Sequence, residues 1–179
     1  MALTETPVPS LNSGTPSLVA SWVVAHTKPR CEKRLVEFLN LHNVGSFLPL
    51  VTRRHVYGRR VRDYEVPLFS GYVFYDSLPL SPERVFASRR VAQILTPPDP
   101  AQLWRELNNL ALALQHDQTM RETIFGEPGR PVWVARGVLK GLYGKLVRYG
   151  AHSQLVVQIT FLGKAAELAI DEAFVEPIL

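Results

Sequence analysis

A chain of 179 residues, 46% hydrophobic and 20% charged, can bury a core as one domain or as two small ones. No apolar run approaches the roughly 18 residues needed to span a bilayer, and the N-terminus lacks the basic start and apolar stretch of a signal peptide, so a cytoplasmic protein with no membrane contact is expected. The single cysteine, Cys31, excludes an intramolecular disulfide and argues against a thiolate metal site, while a formal charge of +4 fits a solvated surface as well as a polyanionic partner.

Residues 1–19 are rich in Pro, Ser and Thr without a period and are expected to form a disordered leader. "SWVVAHT" then reads as a strand, and "KPRCEKRLVEFLNLHN" as a helix with Cys31, Leu35, Phe38, Leu39 and His42 on one stripe. Lys28, Arg30, Lys33 and Arg34 crowd the start of that helix, where positive charge opposes its dipole. Residues 18–118 hold 13 Lys/Arg against 9 Asp/Glu, so the basic character lies in this first large segment.

The stretch from Val44 to Ser77 reads as strands with an extended hairpin turning at Tyr57-Gly58. Arg53, Arg54, Arg59, Arg60 and Arg62 flank that turn, either as a nucleic-acid contact or as charge that blocks edge pairing. "VPLFSGYVFY" breaks the alternation of a half-solvated strand: Leu68, Tyr72 and Phe74 on one parity and Phe69, Val73 and Tyr75 on the other are all apolar. Ser81-Pro82-Glu83 opens a short helix, "VAQIL" is a short strand, and Asp99-Pro100 starts a helix with Leu103, Leu107, Leu110, Ala111 and Leu114 on its stripe. This order describes an α+β domain, an antiparallel sheet with flanking helices, over residues 20–115.

Residues 116–124 are polar and aperiodic, a linker by composition. From 125 to 179, short apolar runs broken by glycines, Gly137, Gly141 and Gly144 among them, describe a small all-β barrel. Catalytic patterns are missing: the five histidines fall in different elements, and there is no Gly-rich phosphate loop, nucleophile elbow or paired-carboxylate motif. A non-enzymatic protein without metal or cofactor is expected.

"SWVVAHTKPRCEKRLVEFL" followed by "PLFSGYVFYDS" resembles the N-terminal domain of the NusG family of transcription elongation factors. "VWVARGVLKGLYGKLV" is similar to the KOW motif, and "ITFLGKAAELAIDEAFVEPI" to the end of that family's C-terminal SH3-like barrel. The resemblance implies a monomer whose N-terminal domain docks on the clamp helices of RNA polymerase's largest subunit, with Phe69, Tyr72 and Phe74 at the docking positions. It implies contact with non-template or upstream DNA through Lys28, Arg34 and Arg89, and the hairpin adds Arg59 and Arg60. It places Phe161 and Leu162 where a small-subunit ribosomal protein or Rho binds the KOW domain.

The implied action is mechanical, a shift of polymerase away from its paused state. "SRRVAQIL" and "ARGVLKG" depart from the housekeeping pattern and resemble specialised paralogues, RfaH and the polysaccharide-operon antiterminators. A general NusG and a KOW-containing ribosome-associated RNA-binding protein are the alternatives.

Overall fold

The computed structural model describes residues 21–178 other than 59, 127, 150 and 151. The expected leader, 1–19, and Arg59 therefore lie outside the described residues. The chain groups into two compact units, Met1–Leu48 with Ser70–Trp104, and Pro49–Phe69 with Arg105–Leu179.

The first unit is a four-stranded antiparallel sheet, in the order β2 (Ser46–Phe47), β5 (Tyr72–Asp76), β1 (Trp22–Thr27), β6 (Val91–Leu95). Helix α1 (Glu32–Leu41) buries Leu35 and Leu39 and packs on β2 and β5, and the short helix α2 (Pro82–Ala87) buries Val85 beside β6. Side chains at Val73, Phe74 and Tyr75 are all buried although neighbours on a strand point to opposite faces, so both faces of β5 are covered. Each buried aromatic there contributes roughly 1.5–3 kcal/mol. Burial also pushes the Tyr75 phenol up to about 12.

The Ser-Gly break before β5 is a turn held from below. Gly71 has φ +86°, its N–H donates 2.8 Å to the carboxylate of Glu32, and its carbonyl accepts 2.8 Å from the Thr27 N–H. Glu32 is only 5% exposed, so the first turn of α1 spends its acidic group on this turn.

Helix α3 (Pro100–His116) starts as its sequence requires, with Asp99 accepting 2.9 Å from the Gln102 N–H. Its first five residues group with the first unit, where Trp104 packs on Trp22 at 5.2 Å, and the rest with the second.

The second unit holds a two-stranded hairpin, β3 (Leu50–Tyr57) and β4 (Arg60–Pro67), and a six-stranded antiparallel sheet. The sheet runs β12 (Val175–Pro177), β8 (Arg130–Val134), β9 (Tyr143–Tyr149), β10 (His152–Ile159), β11 (Lys164–Ala169), β7 (Arg121–Thr123). Mixed helix and sheet thus precede a C-terminal all-β region. Strand β7 occupies part of the segment expected as a linker: its backbone pairs with β11, which its polar composition does not disclose.

The expected position of the hairpin turn is corrected. Tyr57, expected in the turn, instead pairs directly with Arg60, and Gly58 just beyond it has the positive φ, +59°, that a tight hairpin turn needs. Gly137 and Gly141 have positive φ, but Gly144 is required for another reason: a Cβ there would lie 2.4 Å from the carbonyl oxygen of Val156.

Candidate functional site

One sheet face of the first unit divides into a covered end and an open end. At the covered end the register aligns Leu95, Val24, Phe74 and Phe47 across β6, β1, β5 and β2, and the Phe74 and Phe47 rings lie 6.2 Å apart. At the open end it aligns Gln93, His26 and Tyr72. His26 and Gln93 are exposed, Tyr72 is half-buried, and the His26 and Tyr72 rings stack at 5.2 Å and 22°. Gly71 borders this stack, and its φ of +86° is what favours glycine there, since a Cβ would meet the imidazole only at an ordinary contact distance of 3.5 Å.

The three aromatics that the resemblance gives as docking positions are therefore not equivalent. Phe69 is 1% exposed and belongs with the second unit, and Phe74 is 0% exposed within the sheet. The expectation that these two rings are open to a partner is corrected: in-register neighbours cover Phe74, and Phe69 follows the buried Leu68 at the foot of the hairpin. Tyr72 alone of the three reaches solvent. His26, missed from the sequence, joins it because β1 pairs with β5, a register that neither strand reveals by itself.

Beside the open end lies a basic cluster. Lys28, Arg30, Arg34 and Arg89 are exposed, and the turn after β1 meets the turn before β6 through a 2.8 Å bond from the Lys28 N–H to the Arg90 carbonyl. Arg90 itself is engaged, donating 3.0 Å to the Ser88 carbonyl and standing 5.8 Å from the centre of the Phe38 ring. Cations gathered on exposed turns suit contacts with phosphate.

The hairpin is less positive than its arginines suggest. Arg53 donates to the carbonyls of Met120 at 2.8 Å and Thr119 at 3.2 Å, and Arg54 pairs with Asp63 at 3.0 Å. That pairing holds the Arg54 guanidinium above and the Asp63 carboxyl below their ordinary ranges, through a hydrogen bond first and charge attraction as well. Arg60 and Arg62 are exposed.

In the second unit, Phe161 and Leu162 are both half-buried in a one-turn helix, Thr160–Leu162, closed by Gly163 at φ +60°. The same turn is held by Glu106 of α3, whose carboxylate accepts 2.9 Å from the Thr160 N–H and 2.6 Å from its hydroxyl. Among the described residues no group of His, Cys, Asp and Glu is arranged to hold a metal ion.

Residues 20–104 match the family model described as transcription termination factor nusG. Among curated proteins none matches the chain. The matched segment ends at the residue where the first compact unit ends, Trp104.

Proposed function

We propose that this chain, residues 20–104 of which match the NusG family whose members generally bind RNA polymerase, is an elongation factor that docks on the clamp helices of the polymerase's largest subunit. The observation that carries this reading is the open end of the β1–β5–β6 face, where the exposed His26 stacks on the half-buried Tyr72 beside the basic turns. A stacked aromatic pair at the edge of a covered face offers apolar area and a polar tip to a partner helix. Lys28, Arg34 and Arg89 then face the non-template strand or upstream duplex, with Arg60 on the hairpin as a further phosphate contact. Docking without chemistry biases polymerase toward its elongating state and so suppresses pausing or termination.

In this reading the C-terminal six-stranded sheet is a KOW domain, and its Phe161–Leu162 turn receives a small-subunit ribosomal protein or Rho. The departures in "SRRVAQIL" and "ARGVLKG" favour action at particular operons. The test is capture of core polymerase by the full chain, followed by a pausing assay on a defined template. Capture and faster pause escape are expected; absence of capture overturns the proposal. Genome-wide occupancy separates enrichment at a few operons from the broad distribution of a general factor.

A further inference from the structure

The hairpin is a sheet of its own. Strands β3 and β4 pair along their whole length, and among the described residues no further strand adds to β4. Every second residue of such a strand turns its N–H and C=O away from its partner, so the outer edge of β4 presents a row of backbone donors and acceptors. The pairing has no bulge to twist this edge away, and Arg60, Val61, Arg62, Asp63 and Tyr64 are all exposed. The outer edge of β3 is partly engaged by contrast, with the Thr52 N–H donating 2.7 Å to the Gln118 carbonyl.

Side chains along β4 are sorted by face. Arg60, Arg62 and Tyr64 alternate onto one face, and Val61 and Asp63 onto the other, where Val61 stands opposite Val56 and Asp63 opposite Arg54. The Asp63 carboxylate is taken by Arg54, but among the described residues neither Arg60 nor Arg62 takes part in an ion pair. Arg60, Arg62, Asp63 and Tyr64 together line a cavity of about 510 Å³. Val56 is 60% exposed and Val61 56%. Charge alone suffices to keep an edge from pairing; an apolar cross-strand pair left open beside that charge does not serve this end and suits contact with a partner.

We infer that the outer edge of β4 receives an extended acidic segment of a protein partner as a third strand of this sheet. Main-chain hydrogen bonds hold the added strand, acidic side chains at alternate positions meet Arg60 and Arg62, and the residues between them extend the Val56–Val61 face. The two arginines make the edge selective, since they attract an acidic strand and repel a basic one. The inference goes beyond the docking proposal, which concerns the first unit. A nucleic-acid strand, the partner given above for Arg60, has no peptide groups to complete a sheet edge and no need of the two valines.

The test uses the full chain. Its probes are labelled acetyl-Glu-Val-Glu-Val-Glu-Val-amide, the same peptide with lysine for each glutamate, and a single-stranded DNA oligonucleotide, with binding read by fluorescence anisotropy. The acidic peptide is expected to bind at least about tenfold more tightly than the basic one. It is also expected to slow hydrogen exchange at alternate amides of β4, which contact through side chains alone would not do. Arg62→Glu is expected to weaken the acidic peptide about tenfold, whereas Arg62→Lys keeps most of the affinity. Both variants should melt within about 4 °C of wild type, because Arg62 is exposed; if Arg62→Glu does not, Arg60→Glu is read in its place.

Equal affinity for the two peptides overturns the proposal, as does an acidic peptide that stays unbound at about 1 mM. Binding that leaves exchange in β4 unchanged, or that is as tight in the glutamate variant as in wild type, overturns it too. An oligonucleotide that protects β4 where the acidic peptide does not assigns the edge to nucleic acid instead.

Discussion

The side chain of Asn109 pairs with the backbone of Tyr143 as a neighbouring strand would. Its Nδ2 donates 2.7 Å to the Tyr143 carbonyl and its Oδ1 accepts 2.9 Å from the Tyr143 N–H. The β9–β10 ladder runs only from Tyr149 with His152 to Lys145 with Val156, so Tyr143 lies beyond it and its groups pass to the helix. Asn109→Ala removes both bonds from a part-buried site, where water can replace them in part, and is expected to cost about 1–3 kcal/mol. Gln115→Ala, exposed on the same helix, is the control and should change stability by less than about 0.5 kcal/mol in denaturant titration.

Gly144 tests close approach as distinct from positive φ. Gly144→Ala drives a methyl against the Val156 carbonyl at 2.4 Å and should destabilise the chain by about 1–3 kcal/mol. Nothing lies within 4 Å of a Cβ at Gly141, so Gly141→Ala meets only the penalty of φ +93°. Denaturation midpoints of the two variants rank them, with Gly144→Ala the lower.

Tyr72 and Phe74 share one face of β5 yet should fail differently. Tyr72→Ala is expected to keep the fold and weaken polymerase capture at least tenfold, a loss of about 1.4 kcal/mol. Phe74→Ala opens a cavity in the core and should cost about 3–5 kcal/mol of stability. Melting curves measured beside capture assays distinguish the two; equal capture by Tyr72→Ala and wild type would rule out this face for docking.

Glu172 sets an acid limit. Hydrogen bonds from Arg148 and Ser153 hold its carboxyl down to about 2, with Arg148 the larger cause. A carboxyl whose folded pKa is depressed contributes stability above its unfolded pKa and loses it as pH falls toward the folded one. The wild-type melting temperature should therefore drop between about pH 4.5 and 2 by more than that of Glu172→Gln. Parallel curves for the two proteins would refute the assignment.

The strand and helix pattern of the first unit was readable from apolar spacing, Asp99-Pro100 and Ser81-Pro82. The two-sided burial of β5 was readable as well, because apolar residues on both parities leave no face for water. What sequence could not show was pairing. A hairpin turn placed at 57–58 sets Arg54 opposite Val61, whereas the observed pairing of Tyr57 with Arg60 sets it opposite Asp63, with which it forms an ion pair. Arg53 likewise looks unengaged along the chain, although it keeps its charge while donating to the carbonyls of Thr119 and Met120 from more than 60 positions away. Phe74 and Tyr72 look alike along the chain, and only the neighbouring strands decide which one is covered.

Glu32 sits in the opening turn of α1, two positions from Arg30 and two from Arg34, and its carboxylate grips the amide immediately before Tyr72. One buried carboxylate thus ties the turn that carries the aromatic to the helix start that carries the cations, so a substitution at Glu32 disturbs both neighbourhoods at once.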